Sequence, residues 1–254
     1  MELLKLGVRR SKIGEIAYII INALLPIVLV LLVRNFDSPY LAIVIILLGK
    51  WRVFALRPRF WLVNIRANVI DLLVGLSIVV LIYLSMGVPV AQYALAIIYG
   101  VWLLYLKPRS NMHSILLQAG IAQFLALTVL FSLSVIINEP LLVIGCWVTG
   151  YFSARHVMNV HEEEYIDFIS AAWGLFMAEL GWLLYHWTLV YDIGLPIKLP
   201  QISLLSLVIS FVAVRLYKAS KENRLHDRAL RVTTISSIIL VVAILVFTRW
   251  TVII

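Results

Sequence analysis

Nine apolar runs follow one another along this 254-residue chain, at about residues 13–33, 40–56, 68–86, 90–106, 114–137, 141–156, 165–191, 201–217 and 232–249. Most are about 17 to 25 residues long, the length a helix needs to cross a hydrocarbon layer about 30 Å thick at about 1.5 Å per residue. No connection between them exceeds about 14 residues, so neither side of a membrane receives a soluble domain. Composition agrees: 63% of residues are hydrophobic and only 13% are charged, far from the balance of a water-soluble domain. In lipid every backbone polar group needs an internal partner, which leaves helices or a closed barrel, and the runs lack the strict alternation of barrel strands. The expected fold is therefore all-α, a polytopic integral membrane helix bundle.

Four prolines organise the runs. Pro39, Pro89, Pro140 and Pro200 each open an apolar run that ends in arginine or lysine. Ten or eleven residues after each comes a small residue (Gly49, Gly100, Gly150, Ser210), followed within two positions by an aromatic (Trp51, Trp102, Tyr151 with Phe152, Phe211). In the first two copies Arg57-Pro58-Arg59 and Lys107-Pro108-Arg109 lie at equal spacing from their prolines. The prolines are 50, 51 and 60 residues apart, which reads as four helical hairpins (13–56, 68–106, 114–156, 165–217) in parallel repetition plus a terminal helix (232–249), one transmembrane domain over 1–254.

Connections alternate in charge. Those after odd runs, such as 34–38, 87–88 and 138–139, are short and nearly free of cations; those after even runs, 57–66, 107–111 and 218–231, are basic. With nine spans and a cytoplasmic N-terminus, the outside receives only Arg34, Lys198 and Arg249, which satisfies the positive-inside rule and puts the C-terminus outside. The formal charge of +8 is then a matter of orientation, and its natural partner is anionic lipid at the cytoplasmic face rather than nucleic acid. The expected location is the plasma membrane of a prokaryotic cell. Residues 1–12 resemble a signal-peptide n-region, but the apolar stretch behind them is too long and no small-residue cleavage pattern follows, so the first run is expected to be a retained anchor. The lone Cys146 offers neither a disulfide nor a thiolate metal cluster.

Polar residues within the runs are the candidate functional groups, since each is costly in hydrocarbon. Counted back from the prolines, Asn22, Asp71 and Gln123 lie at matching depth near the inner edge, with Arg57 at the level of Asp71; they read as an inner polar ring or as ordinary capping and inter-helix bonds, Asp71 pairing with Arg57. Lys50, Arg52 and Glu179 fall nearer mid-depth, and His186 shares a helix face with Glu179. This set reads as a structural ion pair between the second and seventh helices, as an ion-coupling site, or as an acid–base pair. Gly174, Ala178 and Gly181 form a small-residue strip suited to close packing.

The segment 57–66 (RPRFWLVNIR) reads as an interfacial connector whose Arg57, Arg59, Trp61 and Arg66 are lipid-headgroup candidates. His156, His161 and Glu164 are the metal candidates, weakened because residues five apart on a helix diverge by about 140°. The acidic residues around them also suit a helix N-terminus. No cofactor is expected, and no nucleophile elbow, P-loop or dinucleotide fingerprint occurs in the sequence. Three functions remain open: a small transporter built on Glu179, Lys50 and Arg52; a non-catalytic subunit with membrane-protein partners; and an enzyme acting on lipid at the cytoplasmic face. The balance of motifs leans away from an enzyme.

Overall fold

The computed structural model describes residues 12–50, 57–161, 163–187, 190–191 and 197–247, with the side chains at 12, 13, 15, 58 and 161 outside that description. The described chain is helical apart from one two-residue ribbon. Its helices are α1 (Lys12–Phe36), α2 (Tyr40–Leu48), α3 (Trp61–Leu84), α4 (Pro89–Val101), α5 (Met112–Ser132), α6 (Glu139–Met158), α7 (Ile166–His186), α8 (Gln201–Lys221) and α9 (Arg228–Val246). Seven segments are long and apolar enough to cross a membrane: those of α1, α3, α5, α7, α8 and α9, and α4 together with the π-helical turn Trp102–Leu106 that continues it. The architecture fits a multi-pass membrane protein. The described part of α2 is only nine residues long, while α6 carries Glu139, Arg155 and His156 among its 20 residues.

The repeated prolines open even-numbered helices as their chemistry dictates. Pro89 is the first residue of α4 and Pro140 the second of α6, where a missing N–H leaves no bond unmade. Pro39 and Pro200 sit at the N-caps of α2 and α8. The turns before them need unusual backbone: Gly87 has φ +92° and Asp37 φ +47°, the latter in the left-handed region that Asp tolerates better than most residues. Asn111, Asn138 and Asp227 cap α5, α6 and α9 by accepting backbone N–H bonds from Ser114, Leu141 and Ala229.

Several boundaries differ from the sequence reading, and two of them have a clear local cause. The 57–66 connector is not uniformly non-helical: a 3₁₀ turn at Pro58–Phe60 leads straight into α3 at Trp61, because nothing after Pro58 breaks the helix. The seventh run ends as helix at His186, not at 191; Val190 and Tyr191 are extended and pair antiparallel with Pro200 and Leu199, as a β-branched stretch favours. The Tyr191 hydroxyl donates to the Ile244 carbonyl at 2.9 Å and ties this ribbon to α9.

Packing does not simply follow the four hairpins. The most extensive helix pairing joins α6 to α7 across the boundary of the third and fourth copies, and α1 also leans on α4, α3 on α5 and α5 on α8. Lipid tails are as apolar as leucine, so close approach rather than hydrophobicity must hold such helices. The small-residue strip of α7 supplies that approach. A Cβ added at Gly150 would lie 2.7 Å from Met177 Cγ, one at Gly174 3.0 Å from the Trp147 carbonyl, and one at Gly181 2.6 Å from Cys146 Sγ. Between α5 and α8 the bond is polar: Gln123 Nε2 donates to Ser210 Oγ at 2.9 Å, and Thr128 Oγ1 to Ser203 Oγ at 2.9 Å. Helix α9 packs against α8 at the edge of the bundle, with Ser237 its one buried residue among those described.

The glycine contacts set an order of tolerance. Gly150→Val should destabilise the α6–α7 pair by about 1–3 kcal/mol, the usual cost of overpacking. Gly100→Ala should be near neutral, since its added Cβ would meet only Pro26 Cγ at 3.8 Å. Denaturant titration of the two variants in mild detergent checks the difference.

Candidate functional site

The most charged buried locus in the bundle is built around one carboxylate. Asp71 lies ten residues into α3, well past the first turn, and is 9% exposed. Its Oδ1 accepts the indole N–H of Trp102 at 3.0 Å. Its Oδ2 is shared by two ammonium groups, Lys107 at 2.8 Å and Lys50. Both lysine side chains are largely covered, Lys50 at 18% and Lys107 at 31% exposure. Two cations on one anion leave a formal excess of one positive charge at the basic end of the bundle.

Local structure explains how three helices deliver these groups. Residues five apart on an α-helix diverge by about 140°, so Trp102 and Lys107 on a regular α4 would not face one target. The chain instead makes a π-turn there, and Lys107 N–H bonds the Trp102 carbonyl at 2.8 Å, an i→i+5 link. Widening the turn brings the two side chains toward the same face, and such turns recur at functional positions. The backbone that carries Lys107 is also clamped from α5. Gln118 Nε2 donates to the carbonyls of Leu106 (2.6 Å) and Arg109 (2.9 Å), on either side of it. With both amide protons thus engaged, Gln118 Oε1 accepts from His156 Nε2 at 3.0 Å, which places the proton on that ring nitrogen. Lys50, two residues past α2, reaches the carboxylate with its flexible stem.

Electrostatics at this locus pull in two directions. Lys107 lies one residue beyond the apolar span Pro89–Leu106, and burial pulls its ammonium below the ordinary lysine pKa. Asp71 opposes this by favouring the charged form. An additional anion would act on the same side as Asp71. The group set contains amines, a carboxylate and an indole N–H, which suits anion binding.

The other sequence candidates are scattered. Asn22 is buried but donates its amide to the Tyr18 carbonyl of its own helix, and Gln123 serves the α5–α8 seam, so the hydrogen bonds of Asn22, Asp71 and Gln123 go to three different places. Arg57 is exposed, and Asp71 takes Lys50 and Lys107 as its cations instead, because those two stems reach its buried oxygen. Arg59 is exposed with its guanidinium 4.6 Å from the centre of the Phe60 ring, Trp61 is half-buried in the first turn of α3, and Arg66 is exposed on that helix. Arg52 lies outside the described residues.

Glu179 and His186 do share a face, and it is the outer face of α7: both are exposed. The His186 ring bonds the Trp182 carbonyl of its own helix at 2.9 Å. Lys50 is therefore not the partner of Glu179; α2 packs on α1 and α3, whereas α7 packs on α6 and α8. Of the metal candidates, His156 is occupied with Gln118, Glu164 is exposed in the loop before α7, and the side chain of His161 lies outside the description. Among the described residues no three His, Cys, Asp or Glu side chains converge on one point. Two other acidic residues nearby have partners: Glu163 of that loop meets Tyr217 and Lys221 of α8, and Asp167, in the first turn of α7, meets Arg155 and the Tyr151 hydroxyl of α6.

Lys107 and Gln118 are the site residues that sequence reasoning passed over. A signal for the first existed: Asp71 lies 18 residues before Pro89 and Lys107 18 residues after it, so the hairpin itself places them at one depth. Nothing in the spacing marked the π-turn. Comparison with known proteins finds no matching family, no matching curated protein and no matching solved structure.

The shared carboxylate makes a testable demand. Asp71→Asn should destabilise the protein by about 1–3 kcal/mol, because it leaves two half-buried amines and the indole N–H of Trp102 without their shared acceptor. Adding Lys50→Met to Asp71→Asn should recover a large part of that loss, a non-additivity read by a double-mutant cycle on detergent unfolding.

Proposed function

We propose that this chain is a non-catalytic subunit or assembly partner of a membrane complex, docking through the outer face of α7. The observation that carries the reading is the position of Glu179. It lies 13 residues after the first residue of α7 and seven before the last, well inside a segment apolar enough to span, and its side chain faces outward. A charged side chain facing hydrocarbon at such depth costs roughly 2.5–3.5 kcal/mol even on the mildest scales. A neighbouring membrane helix that offers a basic or hydrogen-bonding group would remove that cost.

The strip around Glu179 suits such a neighbour. Leu175, Phe176, Trp182, Leu183 and His186 are exposed with it, at the three- and four-residue spacing of one helix face. Aromatic residues flanking a polar centre make good anchors between proteins. A transport site on Glu179 and Lys50 has less support, since one faces outward and the other is held by Asp71. In this reading the basic ends of the helices face the cytoplasm, as their lysines and arginines favour, and the four hairpins with α9 act as one membrane domain.

A photo-reactive amino acid at Leu183, activated in native membranes, should give a discrete cross-linked protein band, and Glu179→Ala should weaken that band several-fold. The same probe at Ile97, exposed on α4, should give none. Lipid adducts alone at Leu183 would overturn the reading.

A further inference from the structure

A second feature adjoins the Asp71 locus and concerns a different ligand. A cleft of about 180 Å³ opens sideways between α3, α4 and α5. Its floor includes Val74 and Ile78, which follow Asp71 by three and seven residues and so share its face of α3. Trp102, whose indole N–H holds Asp71, and Leu106, the chain neighbour of Lys107, also line it. The lining is almost wholly apolar, and its rim residue Ile97 is 68% exposed on the surface that would face lipid.

An apolar slot along a membrane-facing helix ends beside a locus with one positive charge too many. Each half specifies one part of an amphiphile. A second anion beside these two amines would favour their charged forms, as Asp71 does. Lys107, the more exposed of the two lysines, is the group such a phosphate could reach. Arg109, exposed in the same turn, adds attraction at longer range. The Gln118 clamp holds the turn ready.

We propose that Lys107, backed by Lys50 and Asp71, and the α3–α4–α5 cleft form a binding site for an anionic phospholipid, with phosphate on Lys107 and an acyl chain in the cleft. The site stands apart from the α7 docking face and does not depend on it. The apolar cleft specifies a lipid rather than a free phosphate ion.

The test uses full-length protein in mild detergent, titrated with phosphatidylglycerol or phosphatidylcholine, with bound lipid counted by native mass spectrometry. Phosphatidylglycerol should be retained about fivefold or more over phosphatidylcholine, the scale of one lysine–headgroup contact. Lys107→Gln should abolish the preference, while Lys107→Arg and Arg109→Gln should keep it. Val101→Trp, at the rim of the cleft, should reduce retention of phosphatidylglycerol with Lys107 intact. Equal retention of the two lipids by the wild type would overturn the proposal. So would an unchanged preference in a folded Lys107→Gln protein, or displacement of the lipid by millimolar inorganic phosphate. Should Lys107→Gln fail to fold, the wild-type comparison and Val101→Trp decide the matter on their own.

Discussion

One carboxylate holding two ammonium groups is the interaction on which the first half of this bundle depends. Asp71 joins the end of α2 through Lys50, and the π-turn of α4 through Trp102 and Lys107. One turn further along α3, the three helices meet closely: a Cβ at Gly75 would lie 2.9 Å from the Tyr99 hydroxyl and 3.2 Å from Ile46. From α5, Gln118 fixes the turn that carries Lys107, and His156 of α6 fixes Gln118. A chain of polar contacts thus runs from α2 to α6 at the basic end, where water and lipid headgroups lie closest to the excess charge.

The second half is held differently. Helices α6 and α7 approach through Gly150, Gly174 and Gly181, and α5 meets α8 through hydroxyls and one amide. Close packing and neutral hydrogen bonds dominate both, with one ion pair, Arg155–Asp167, joining α6 to the first turn of α7. Further charge lies in the loop before α7, where Glu163 binds α8, and on the outer face of α7, where Glu179 is exposed. On the proposed reading, the outward-facing carboxylate of Glu179 is the group that another membrane component would meet.

Helix-level organisation was legible in the sequence because hydrocarbon thickness and proline chemistry act locally. The prolines open even helices, and the small residue of the repeat is used for close packing at Gly150 and for a hydrogen bond at Ser210. The aromatic beside it also has a use: Trp102 and Tyr151 each donate to an aspartate of an odd helix, Asp71 and Asp167. What the sequence hid was azimuth and neighbourhood. Depth counting placed Lys50 and Glu179 at one level but could not say that they belong to different halves of the bundle. It also assumed regular helices, whereas the π-turn changes which way Lys107 faces, and the early end of α7 moves Glu179 nearer to its helix end.

Asp71 is shared by two lysines within the bundle. Magic-angle-spinning NMR of the protein in phosphatidylcholine bilayers tests it directly, by recoupling lysine ¹⁵Nζ to the ¹³Cγ of aspartate. One aspartate carboxylate should be dephased by two lysine nitrogens, with one of the two couplings lost in Lys50→Met and the other in Lys107→Gln. Dephasing of that carboxylate by a single lysine, or by none, would contradict it.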